Sequence, residues 1–176
     1  VREWIPVSTS PKGRLALAAV KEFGTRPFDE VTVAELAAAA KVTTGALYHH
    51  FGSKLGLYAF VRADVERRLL DRMEGALAAA GSGSDHSAAV TSALLVGLDF
   101  AVREGFLRIL GDPPAGTGHD RLAEMLSEHA VPAVPLLGQV LAAAWRAALA
   151  AVAQGADPQH ARAAIAALRL HVPDCR

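Results

Sequence analysis

Apolar side chains recur along this chain at intervals of three and four residues, the spacing that gathers them on one face of an α-helix. Leu15, Ala19 and Phe23 form the first such stripe. It predicts a helix over Lys12–Phe23, with Gly24 as its stop. Thr32 followed by Glu35 has the form of a capping box, in which side chains satisfy backbone N–H groups at a helix start. It opens a short second helix ending near Ala40. Thr43 caps a third helix to about Phe51, and Ser53 caps a fourth reaching Ala80. The Gly81–Ser84 segment then breaks the pattern. Asp85 caps a fifth helix through Arg103, a short sixth covers Phe106–Leu110, and Thr117 with Asp120 opens a seventh to about Ala130. Pro132 and Pro135 lack the N–H that a helix interior needs, so an eighth helix is placed from Pro135 to Gln154, closed by Gly155. Asp157 and Pro158 open a ninth, to about Leu170. Strand-like alternation is nowhere sustained, so the chain reads as all-α, with about nine helices.

Composition adds little beyond this. Apolar residues make up 52% of the chain, ample for a core. The most apolar stretch, residues 131–153, is broken by Pro132, Pro135, Gln139 and Arg146, so no membrane span is expected. The first residues show no basic segment leading into an apolar core, and the lone Cys175 cannot form an internal disulfide. A cytoplasmic protein is the expectation. Net charge is zero, and residues 1–54 hold seven Lys and Arg against five Asp and Glu. That small basic excess does not by itself indicate a nucleic-acid partner.

The spacing of the second and third helices is more telling. They are joined by Ala40, Lys41 and Val42 before the Thr43 cap, the geometry of a helix-turn-helix. In such a unit the first helix braces while the second lies in the DNA major groove. Val33, Leu36, Ala37, Val42, Leu47 and Phe51 are spaced to pack against Leu15, Ala19 and Phe23. Thr44, Gly45, Tyr48 and His49 then point outward.

Residues Leu15–Leu57 resemble the tetracycline-repressor (TetR) family. The resemblance rests on Ala18-Ala19 through Phe23, Phe28, Val31-Thr32-Val33, Leu36-Ala37, the run Val42-Thr-Thr-Gly-Ala-Leu-Tyr-His-His-Phe51, and Ser53-Lys54. It implies a helix-turn-helix domain over residues 1–54, with its core at 12–54, and a helical ligand-sensing and dimerisation domain over 55–176. It further implies that Thr44, Gly45 and Ala46 face base edges, that Tyr48, His50 and Lys54 reach phosphates, and that Thr32 and Thr43 place helix N-termini near phosphates. His49 is expected to face the DNA or solvent, and Lys12 and Arg14 are expected to add phosphate contacts.

Two positions depart from the family pattern. Lys41 occupies the turn position where glycine is usual, which requires positive φ at a cost on the order of 1 kcal/mol. Ala34 stands where many members place arginine. Residues 43–50 contain no Arg, Lys, Asn or Gln, the usual readers of guanine and adenine. Readout is therefore expected to lean on Thr and Ala contacts to thymine methyls, on histidine donors, and on DNA shape.

Other chemistry is not indicated. His49 and His50 are adjacent on a helix and point about 100° apart, which makes sharing one ion awkward. The seven histidines show no metal-ligand spacing, and no nucleophile elbow or Cys-His pair occurs. No metal, no cofactor and no enzymatic activity are expected. Phe100, Arg103, Phe106, Met125, His129 and Trp145 are the candidate lining of a ligand pocket. Leu137, Leu141, Ala144, Ala148, Ala161, Ala164, Ile165 and Leu168, on the eighth and ninth helices, are the candidate dimer surface. The expected protein is a homodimeric repressor on a near-palindromic operator, released by a small-molecule ligand. A constitutive or architectural DNA-binding protein of the same fold is the alternative.

Overall fold

A computed structural model describes residues 9–80, 86–113, 119–129 and 134–168. The expected Gly81–Ser84 break, the Asp85 cap, Thr117, Ala130, Pro132, Leu170 and Cys175 lie outside them. Among the described residues the fold is all-helical: α1 (Pro11–Thr25), α2 (Val33–Ala39), α3 (Thr44–Phe51), α4 (Lys54–Ala80), α5 (His86–Glu104), α6 (Leu107–Gly111), α7 (Arg121–His129), α8 (Leu137–Ala153) and α9 (Pro158–Ala167). A 3-10 turn at Phe28–Glu30, which periodicity does not signal, follows Pro27. No described helix is long and apolar enough to cross a membrane.

The chain forms two compact units, one ending at Arg67 and one beginning at Arg68. The division falls inside α4, whereas the sequence reading placed it at the start of that helix. Capping also shifts some boundaries. Ser10 accepts the Gly13 N–H at 3.0 Å and Pro11 occupies the first turn, so α1 starts before Lys12. Gly24 does not stop α1, which runs on to Thr25.

In the first unit, α1, α2 and α3 pack around Leu15, Ala19, Phe23, Leu36, Ala37 and Leu47, all buried. Phe23 also meets the rings of Phe28 and Tyr58 at 5.6 and 5.1 Å. Two backbone bonds close the turn after α2. Lys41 N–H donates to Ala38 O and Val42 N–H to Ala37 O, both at 3.0 Å. This is the paired pattern that ends a helix on a left-handed residue, and Lys41 has φ of 54°, as the family resemblance implies. Replacing Lys41 by glycine is expected to raise the unfolding free energy by a few tenths to about 1 kcal/mol, strain relief outweighing the freer unfolded backbone. A lower midpoint in urea would show that the lysine side chain carries a stabilising contact.

In the second unit, α5 and α8 supply the centre and α6, α7 and α9 pack on α8. Trp145 is fully buried, and its indole N–H donates to Leu94 O at 3.0 Å. Gly97 leaves room for it: a Cβ there would lie 3.2 Å from the Trp145 ring and 3.0 Å from Met73 Sδ. Arg72 lies over the Phe100 ring, 4.3 Å from its centre. The ninth helix opens as its sequence indicates, with Asp157 accepting the Gln159 N–H at 2.8 Å ahead of Pro158.

Candidate nucleic-acid interface

The first unit presents two helix N-termini and one exposed helix face. At the start of α2, Thr32 Oγ1 accepts the Glu35 N–H at 3.2 Å. Glu35 Oε2 in turn accepts from the Thr32 N–H and hydroxyl, both at 2.7 Å. Arg26, a residue that periodicity alone does not mark, extends this box by donating to Glu35 Oε1 at 2.9 Å and to Glu30 O at 2.6 Å. These bonds favour the ionised Glu35. The Thr32 hydroxyl contributes most, then the Thr32 N–H and Arg26, and together they lower its pKa from 4.5 to about 2. A carboxylate whose pKa is depressed by folding stabilises the native state above its unfolded pKa and loses that contribution as it protonates. The start of α2 is therefore expected to lose protection from hydrogen exchange as pH falls from about 4.5 towards about 2. Glu35→Gln should flatten that dependence, and an unchanged profile would assign the acid sensitivity elsewhere.

At the start of α3, Thr43 Oγ1 accepts the Ala46 N–H at 3.2 Å. Leu47 is buried and turns the helix, so that Thr44, Gly45, Tyr48 and His49 are exposed, while Ala46 and His50 are half-buried. Tyr48 keeps 53% of its surface open. The His49 and His50 rings stand 5.0 Å apart, edge to face. Among the described residues no group of acidic, histidine or cysteine side chains could hold a metal ion. Gly52, at φ of 73°, ends the helix.

Three expected phosphate ligands make contacts within the protein. Lys54 donates to Phe28 O and Val31 O, both at 2.9 Å, and its ammonium sits 4.1 Å from the Phe28 ring centre. It ties the first turn of α4 to the segment before α2. Arg14 donates from Nε to Ala40 O at 2.9 Å and from Nη1 to Thr9 O at 2.5 Å, which braces the helix-turn-helix turn. Lys12 lies over the Phe51 and Phe60 rings at 5.8 and 5.2 Å. Carbonyls orphaned at helix ends and aromatic faces attract cations as phosphates do, and no pattern in the sequence separates the two.

The second unit does not assemble the expected ligand pocket. Phe100, Phe106, Met125 and Trp145 are buried and fill the core, with the two phenylalanine rings 5.4 Å apart. Arg103 is exposed, and His129 is exposed with Nδ1 2.9 Å from Met125 O. None of the six lines the cavity of about 680 Å³ that opens between α7 and α8. The expected dimer surface is also divided. Leu141, Ala161 and Ile165 are buried within the subunit, Leu137, Ala144, Ala148 and Leu168 are half-buried, and Ala164 is exposed. The apolar stripe left to solvent lies further round the helices, at Val140, Ala143, Ala147 and Ala151 of α8 and at Ala163, Ala164 and Ala167 of α9. On helices this rich in alanine, several faces are apolar enough to turn inward, and the larger residues decide which one does.

Residues 16–60 match the family model described as bacterial regulatory proteins, tetR family. A solved structure, the crystal structure of a TetR-like transcriptional regulator from Rhodococcus sp. RHA1, is similar over 91% of this chain and 93% of its own. Its TM-score is 0.66 and its sequence identity 23%. No curated protein matches the sequence.

Proposed function

We propose that this chain, whose residues 16–60 match the model of the tetR family of bacterial regulatory proteins, is a homodimeric repressor that releases a near-palindromic operator when a small molecule binds the second unit. The observation that carries the DNA reading is the open face of α3. Thr44, Gly45 and Tyr48 are exposed on the second of two helices joined by a left-handed turn. Thr44 and Ala46 contact thymine methyls and base edges in the major groove. Tyr48 and His50 hold phosphate oxygens, and His49 stands beside them. The N-termini of α2 and α3, capped by Thr32 and Thr43, add backbone donors towards phosphate. Lys12, Arg14 and Lys54 keep this surface in shape rather than forming it.

Two copies join through the exposed alanine-rich faces of α8 and α9, where small side chains let helices approach closely and a four-helix bundle can form. An apolar cavity would favour the ligand-responsive form and a filled core the constitutive one; the groove between α7 and α8 is the space where a small molecule is to be sought.

Selection of binding sites from random duplexes, compared between the native protein and Thr44→Ala, tests the reading. The native protein is expected to return a near-palindrome bound by two subunits. The variant is expected to lose about 1–3 kcal/mol of discrimination at one position per half-site, with little change in non-specific affinity. An unchanged motif would show that α3 does not read bases through Thr44.

A further inference from the structure

The helix read above as the DNA-facing one carries no fixed positive charge of its own. Residues 44–51, the whole of α3, contain no Lys or Arg. The basic side chains packed around it have partners within the protein. Arg14 holds Ala40 O and Thr9 O, Lys54 holds Phe28 O and Val31 O, and Lys12 lies over the Phe51 and Phe60 rings. Lys21 and Lys41 line a separate groove, between α1 and the end of α2. What α3 itself offers a phosphate is a pair of imidazoles, His49 and His50, in its last turn.

His49 is exposed and His50 half-buried, with the two rings 5.0 Å apart. Among the described residues neither imidazole makes a hydrogen bond or an ion pair, so their ring nitrogens are open to a ligand. The helices packed on α3 bring no counter-charge to them. Glu22 of α1 and Glu35 of α2 are paired with Arg26, and Asp64 of α4 is paired with Arg67. Lys12 and His50 both border the Phe51 ring, at 5.8 and 6.3 Å, and that neighbour is itself a cation. An imidazolium here has to find its anion outside the protein, and a row of DNA phosphates supplies it.

We propose that DNA binding by this head is proton-linked: His49 and His50 take up protons as they meet phosphates, so that affinity rises as the solution becomes more acidic. Histidine is the side chain whose charge changes between about pH 5 and 8, and an adjacent anion favours its charged form. The bound state therefore holds protons that the free state lacks. Binding is strongest at the acid end of that range and is lost as pH rises and the bound imidazoles give up their protons. The fold does not follow the same titration, because the Glu35 carboxyl of the capping box is held at about 2 and stays ionised throughout. The proposal rests on the reading of α3 as the DNA-binding helix, and its test separates the two.

Fluorescence anisotropy of the full-length protein is measured with two duplexes, one of arbitrary sequence and one recovered by binding-site selection. Affinity is expected to be about tenfold or more higher at about pH 6 than at about pH 8. At the lower pH the salt dependence should steepen by roughly 0.9 for each imidazolium gained. Isothermal titration in two buffers of different ionisation heat should report net proton uptake by the native chain. His49→Gln/His50→Gln should remove both the uptake and the pH dependence while circular dichroism keeps its helical signal. His49→Lys/His50→Lys, which fixes the charge, should bind at the higher pH about as tightly as the native protein does at the lower. Equal native affinity at both pH values, absence of proton uptake, or a native pH profile in the glutamine variant would overturn the linkage and leave α3 as the DNA-binding helix. Failure to bind either duplex at any pH removes both.

Discussion

Trp145→Ala is expected to lower the unfolding free energy by about 4 kcal/mol, near the middle of the range for removing a large aromatic side chain from a core. The indole is fully buried. It fills the space beside Gly97, where the absence of a Cβ lets the ring approach. The change also removes the indole N–H bond to Leu94 O, made at 3.0 Å, a net loss of about 0.5–1.5 kcal/mol. Domains of this size are stable by only about 5–15 kcal/mol, so the variant should lose a large share of its helical signal at modest urea concentrations. Trp145→Phe keeps the ring volume in part and removes the donor, and is expected to fall between the two. A Trp145→Ala protein with the native urea midpoint would mean that the indole is not in the core, and the ligand-pocket role expected for it would regain support.

Gly56→Ala is expected to damage the first unit by a different route. A Cβ at this position would lie 2.1 Å from Phe51 O and 3.3 Å from Phe51 C. Those are backbone atoms at the end of α3, so nothing flexible can yield and the two helices must move apart. Alanine gains up to about 1 kcal/mol over glycine in a helix interior, but overpacking against fixed atoms costs about 1–3 kcal/mol and at times more. The net expectation is a loss of about 2 kcal/mol. Because the displaced atoms belong to the last residue of the helix that carries Thr44 and Tyr48, DNA affinity should fall about tenfold as well. Gly45→Ala is the control. A Cβ there meets only Thr43 Oγ1, at 3.7 Å, so stability should hold or rise slightly while base preference changes. Equal stability of Gly56→Ala and the native chain in denaturant would show that α3 and α4 are not locked together at this glycine.

Much of the first unit was legible in the sequence because its determinants are local. A capping box, a threonine cap and a three-residue turn each act within four residues along the chain, and each appears in the structure where the residues indicate. The left-handed conformation of Lys41 came from the resemblance, which places it where glycine is usual. Buried and exposed positions on α3 followed locally, because one leucine and one phenylalanine on a short helix allow one inward face.

The partners of cations and the inward face of an alanine-rich helix are decided at long range. Arg14 meets Ala40 O and Lys54 meets Val31 O across separations of 26 and 23 residues, and a basic residue near a DNA-facing helix has the same local signature whether it braces or binds. The assignment of Trp145, Leu141 and Ile165 to the core likewise follows from how α5, α6 and α7 cover α8 and α9, which periodicity does not encode when alanine occupies every face. The groove lined by Glu124, Glu128 and Gln139 lies where α7 and α8 approach at Gly138, beside the Arg146–Asp120 pair. Sequence alone determined the helices, their caps and the reading head, whose bonds close within a turn or two. Tertiary structure decided which charges are internal, which alanine faces are free and where the surface is grooved, because those depend on which distant surfaces meet.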